Sequence, residues 1–140
     1  MRVVLDTNTL VSALLSPHGP PRRLLDDARA QAFELYSSLV LMAELLDVLS
    51  REKFAQRLAA AGLTSLGIVG EIRRLAVMAA PAEVPRVVAN DADDDHVLAC
   101  ALAAQADLIV SGDKHLLGLG GHYHNIAIVT PAQAVHRIAK

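Results

Sequence analysis

One cysteine, no tryptophan and an aromatic content of 3% leave this 140-residue chain few of the usual fastenings. Cys100 alone cannot form an internal disulfide, and it argues against a thiolate zinc site. It lies in an Ala- and Leu-rich run and reads as a small core residue. With so few aromatics, the core must be built from Leu, Val, Ala and Ile. No apolar run reaches ~18 residues without a charge, so no membrane span is expected. Met1-Arg2-Val3-Val4-Leu5 meets Asp6 at once, which is no signal-peptide pattern, and the cytoplasm is the default location. The chain shows no phosphate loop, no dinucleotide glycine motif and no convincing Ser/His/Asp order. Repeats, low-complexity stretches and linkers are also missing.

What is present is a chain that is 53% hydrophobic and 20% charged, enough for one folded domain over residues 1–140. The net charge of −2 predicts no general affinity for polyanions. Its distribution says more. Acids are dense at 91–95, whereas Arg22, Arg23, Arg29, Arg51, Lys53 and Arg57 lie in the first half. An acidic pocket beside a basic flank suits a metal site next to nucleic acid. A solvated helix face explains any one of these residues equally well.

Residues 2–5 form a β-branched run that predicts a buried strand. Asp6-Thr7-Asn8-Thr9 is rich in capping side chains and should open a helix. Ser16-Pro17-His18-Gly19-Pro20-Pro21 predicts a loop, with a helix over 22–30 after it. A second strand is expected over 33–36. Ser37 or Ser38 should cap a helix to about residue 50, with Leu39, Met42, Leu45, Leu46 and Leu49 on one face. Another helix over 51–61 would end at Gly62. Thr64 would cap one running to residue 78, its start weakened by Gly67 and Gly70. Pro81 and Pro85 mark an extended connection, and Val87-Val88 reads as a strand or a loop. The acids at 91–95 precede an apolar helix from 97 to about 105. Residues 108–110 predict a strand, 114–117 a helical turn, 118–124 a loop and 126–129 a last strand. Thr130-Pro131 should cap a final helix. Strands alternating with helices predict a parallel sheet covered on both faces.

In such sheets ligands bind outside the carboxyl ends of the strands, where Asp6 and Asp113 both fall. Either acid alone is explained as well by helix capping. Thr7 and Asn8 can bond nearby backbone and hold the Asp6 carboxylate. Glu44 lies among Val40, Leu41 and Val48 at helical spacing, so it sits at the core edge or faces a pocket. A buried carboxylate needs a partner such as a metal. Asp91, Asp93, Asp94 and Asp95 are too many for capping, because like charges in one turn repel. Asp94 shares a turn with Val97 and Leu98, and Asp95 is the alternative. Gly112 permits a tight turn that would expose Asp113, and Ser111 offers a hydroxyl to a phosphate or to water. Carboxylates crowded together raise each other's pKa, and a hard cation such as Mg²⁺ or Mn²⁺ relieves the repulsion. The set predicts metal-dependent cleavage of a phosphodiester. His122 and His124 form only a weak metal pair, and His18, His96, His115 and His136 are scattered.

Four segments together resemble the PIN-domain family. They are Val3-Val4-Leu5-Asp6-Thr7-Asn8, Glu44-Leu45-Leu46-Asp47-Val48-Leu49, Asp91-Ala92-Asp93-Asp94-Asp95-His96-Val97-Leu98-Ala99 and Ala106-Asp107-Leu108-Ile109-Val110-Ser111-Gly112-Asp113. Within that family they are similar to VapC-like toxins of bacterial toxin–antitoxin pairs. The resemblance implies a three-layer α/β/α sandwich with a central, mainly parallel sheet, and an endoribonuclease using one or two Mg²⁺ or Mn²⁺ ions. It places catalytic and metal-binding roles on Asp6, Glu44, Asp94 (with Asp95 as the alternative) and Asp113, supported by Asn8 and Ser111. Many relatives carry Thr where this chain has Ser111, and the hydroxyl is kept. An antitoxin over the pocket and a homodimer would be the partners, besides RNA. Arg51, Lys53 and Arg57 follow the Glu44 helix and are candidates for the RNA backbone. With few aromatics, base stacking would be a minor contribution.

Two rivals stand beside this reading. A phosphatase working through an aspartyl-phosphate needs a second acid two residues after its nucleophile, where this chain has Asn8. A catalytically weak or inactive PIN-like protein would bind RNA or a partner and cleave nothing.

Overall fold

The computed structural model describes residues 1–81 and 92–139, the side chains of Ala92 and Asp93 excepted. A six-stranded sheet forms its centre. The strands are β1 (Arg2–Leu5), β2 (Glu34–Ser38), β3 (Val77–Ala79), β4 (Leu108–Val110), β5 (His122–Tyr123) and β6 (Ile126–Val129), in the order β3-β2-β1-β4-β6-β5. All neighbouring strands pair in parallel except β5, which runs antiparallel to β6. The chain moves outward from β1 through β2 to β3, then returns to the other side of β1 for β4 and β6.

Alternation along the strands builds two apolar layers. Val3 and Leu5 of β1, Leu108 and Val110 of β4, and Ala127 and Val129 of β6 share one core. That core packs on α1 (Thr7–Leu15), α2 (Pro20–Arg29), α3 (Leu39–Leu49), α4 (Glu52–Ala60), α5 (Ser65–Leu75) and α8 (Pro131–Ile138). Val4, Ile109, Ile126 and Ile128 point the other way, onto α6 (Ala92–Ala104) and α7 (Lys114–Leu117). These are the three layers the resemblance implied. With both faces covered, β4 and β6 are continuous apolar runs, as parallel strands usually are. Cys100 is buried in the second core.

Local chemistry sets the boundaries. Ser38 caps α3 by accepting from Leu41 N at 3.3 Å. Thr64 caps α5 by accepting from Gly67 N at 3.0 Å. Thr130 and Gln133 form a reciprocal capping box on α8, with Pro131 in its first turn.

Several elements differ from the sequence expectation. The helix expected from residue 22 starts at Pro20, because two prolines preset its first turn. The strand expected over 33–36 is Glu34–Ser38, so Ser37 and Ser38 belong to it. The helix expected to reach residue 78 stops at Leu75; Ala76 is extended, and Val77–Ala79 adds to β2 as an edge strand. The expected 118–124 loop contains β5. Its hairpin turns through His124 and Asn125 at φ 48° and 66°, a two-residue loop of primed type. The helix expected from residue 97 begins at Ala92, which makes the acidic run its first turn. Leu39, expected on the buried face of α3 with Met42, Leu45 and Leu49, is 62% exposed, whereas Leu41 is buried in the second core. Pro85, Val87-Val88 and Asp91 lie outside the described residues.

Candidate active site

β1 and β4 are neighbours whose following connections leave toward opposite sides of the sheet. A crevice therefore opens beyond their carboxyl ends. Asp6 is the first residue past β1, and its backbone N donates to Val110 O at 3.1 Å. Its side chain caps α1, with Oδ1 accepting from Thr9 N at 2.8 Å. Ser111 is the first residue past β4 and is fully buried. Its hydroxyl donates to Asp6 Oδ2 at 2.5 Å and accepts from Asp113 N at 2.9 Å. One hydroxyl thus ties together the two loops that carry acids. Asp113 in turn caps α7, with Oδ1 accepting from His115 N at 2.7 Å.

Two helices bring in the remaining acids. Glu44 and Val48 follow one another by a helical turn on α3, and Arg51 extends the same line at the cap of α4. Asp94 and Val97 do the same at the start of α6. Asp6, Glu44, Asp94 and Asp113 line a single cavity of about 160 Å³. Val48 and Val97 add apolar surface, and Thr7, Asn8 and Arg51 complete the lining. Asp94 and Asp95 are equally buried, yet Asp94 lines the cavity and Asp95 does not. Neighbouring residues on a helix point about 100° apart, so only one of the two faces the crevice.

Electrostatics follow from this placement. Burial pushes the Asp6 carboxyl above its ordinary value of 3.8, and the charge of Asp113 adds to the shift. Hydrogen bonds from Ser111 and Thr9 pull the other way without cancelling it. The donors are mostly carboxylate oxygens, the chemistry a hard divalent cation prefers. One donor atom each from Asp94, Asp113 and His115 lies within 4.8 Å of the others. His115, one of the scattered histidines of the sequence, thus stands with the acids. The available signal is its position two residues after an acid at a helix start, which turns it back beside that acid.

Other expectations fare differently. The conformation of Gly112 makes no special demand: its φ is not left-handed, and a Cβ there would meet nothing within 4 Å. His122 lies in the outermost strand β5 and His124 in the hairpin turn after it, two strands away from β4, and His124 packs edge-on against Tyr123. Among the basic residues, Arg22, Arg23 and Arg29 pair with Asp26, Asp27 and Glu71 respectively. Lys53 lies 4.7 Å from the Phe54 ring centre, and Arg57 donates to Leu15 O at 3.0 Å. Arg51 alone of these lines the cavity, 3.6 Å from Asp47.

Comparison with known proteins agrees with the fold. A family model described as the PIN domain matches residues 2–115. "Uncharacterized protein MJ1680" of Methanocaldococcus jannaschii is 28% identical over 127 residues, which cover 85% of this chain and 75% of that protein. No helix among the described residues is long and apolar enough to cross a membrane. PIN domains are in general nucleases, typically with divalent metals, and their substrate is nucleic acid. The chain belongs to the PIN domain family.

Proposed function

We propose that the protein is a divalent-metal-dependent endoribonuclease, with residues 1–140 acting as one nuclease unit. One observation carries this reading: acidic residues from four separate segments line one small cavity at the switch point of the sheet. Four acids packed so closely call for a compensating cation. Asp6, Glu44, Asp94 and Asp113 would hold one or two ions, Mg²⁺ or Mn²⁺, with Asp95 the alternative to Asp94. The bound ion supplies charge neutralisation at the phosphoryl group and an acidified water for in-line attack. Ser111 fixes Asp6 against the Asp113 loop, and Asn8, also in the cavity lining, carries an amide. Cleavage would leave 5′-phosphate and 3′-hydroxyl ends.

The toxin role, an antitoxin segment covering the cavity, a homodimer and a cytoplasmic setting rest on the likeness of the four motifs to VapC-like toxins. The decisive assay mixes purified protein with a long, mixed-sequence RNA under Mg²⁺, Mn²⁺ or chelator. Cleavage restricted to the metal-containing samples, with the stated ends, supports the reading. Intact RNA at every metal concentration, with RNA still bound, would replace it with a binding role.

Arg51 is the cation best placed to meet a phosphate at the cavity, and Lys53 and Arg57 are weaker candidates. In an Asp113→Asn background, Arg51→Ala should reduce the salt slope of RNA affinity by roughly 0.7, one phosphate contact on a single strand. Arg57→Ala should change that slope less, because its guanidinium already serves the Leu15 carbonyl. Filter binding across a salt series measures both.

A further inference from the structure

We propose that His115 is a nitrogen ligand of the ion in the acidic cavity, so that the site favours Mn²⁺ over Mg²⁺. This rests on the metal-centred reading above and adds a donor that the four-carboxylate set does not contain. The three donor atoms of Asp94, Asp113 and His115 stand within 4.8 Å of one another. Donors on opposite sides of one ion, with bonds of about 2.1 Å, stand about 4.2 Å apart, so a small adjustment of the side chains closes the set.

The position of His115 follows from the local fold. Asp113 caps α7 and receives His115 N, which folds the imidazole back beside its own cap. Its Nδ1 lies 3.4 Å from Asp113 Oδ1. The ring is 45% exposed and can swing, while Asp113 is held by Ser111 from behind. Among the described residues this is the one group of three metal-capable side chains that stands together.

A second observation points to a ligand in the same space. Thr7 lines the cavity, is 4% exposed, and its Oγ1 has no hydrogen-bond partner among the described residues. A buried hydroxyl in that state is destabilising, and an occupant of the cavity with polar atoms supplies the partner.

Donor chemistry sets the preference. Mg²⁺ demands oxygen ligands in near-ideal octahedral geometry, whereas transition ions accept imidazole readily. Mn²⁺ is the member of that group that also favours carboxylate.

Two measurements on the intact chain test the assignment. Spin-echo spectroscopy of Mn²⁺-loaded protein should show the nitrogen modulation of a directly bound imidazole, and His115→Gln should lose it. By calorimetry His115→Gln should weaken Mn²⁺ binding about tenfold and leave Mg²⁺ binding unchanged. His122→Gln, in the outermost strand β5, should alter neither. A nitrogen signal that survives in His115→Gln, or none in wild-type protein that binds Mn²⁺, overturns the ligand while leaving the carboxylate site intact. No uptake of either ion by the wild type overturns both.

Discussion

Asp6→Asn should abolish metal-dependent RNA cleavage while the metal-free protein melts at the same temperature or higher. Asn keeps the acceptor that caps α1 through Thr9 N, so the helix start survives. What disappears is a charge that the cavity needs only to hold a cation. Losing one carboxylate from such a site should lower kcat by roughly a thousandfold or more, about 4 kcal/mol of transition-state stabilisation. Stability should move the other way because burial raises the pKa of Asp6. The native state then binds this proton more tightly than the unfolded chain, whose value is near 3.8. The ionised form is destabilising at any pH above the raised native value. That penalty shrinks as pH falls through the native value and is gone below the unfolded one. The melting advantage of Asp6→Asn over wild type should therefore be largest near neutral pH and vanish in acid. Thermal melts across a pH series, with chelator present, measure the difference directly. Full cleavage by the variant would remove Asp6 from the site. A lower melting temperature at neutral pH would show that the bond from Ser111 outweighs the buried charge.

Ser111→Ala should cut both metal affinity and cleavage about 10- to 100-fold, without touching any carboxylate. The hydroxyl is fully buried and makes two bonds, one to Asp6 Oδ2 and one from Asp113 N. Alanine leaves that buried carboxylate oxygen without its donor and that backbone N–H without its acceptor. Stability should fall by about 1–3 kcal/mol. Ser111→Thr keeps the hydroxyl and should restore both properties. If Ser111→Ala lost stability but bound Mn²⁺ as tightly as wild type, the hydroxyl would be part of the scaffold only.

The acids on either side of Ser111 also show how much of the site is legible in the sequence. Asp6 and Asp113 each end an apolar run, and in an alternating α/β chain that position alone places them at one edge of the sheet. The capping residues Ser38, Thr64 and Thr130 mark their helices because each accepts a hydrogen bond from a backbone N–H three residues ahead. The choice between Asp94 and Asp95 needs a helix with a known rotation, since both share composition and burial. β3 is hidden because Val77, Met78 and Ala79 continue an apolar helical pattern; pairing with β2, not intrinsic preference, makes them a strand. β5 is two residues long and carries no period at all. The early start of α6 is masked in a different way. A run of aspartates reads as a loop, although acids are favourable in a helix's first turn. The sequence places His115 two residues after Asp113 at a helix start, but not beside Asp94, which lies on another helix.

The short outer strands have a consequence for how the protein behaves in crowded surroundings. β3 offers three residues at one border of the sheet and β5 two at the other. A stranger's backbone needs a longer open ladder than that to take hold. Strand addition, a common route from sheets to fibrils, is thereby blunted at both margins, and the fully apolar strands that would nucleate it are kept in the interior.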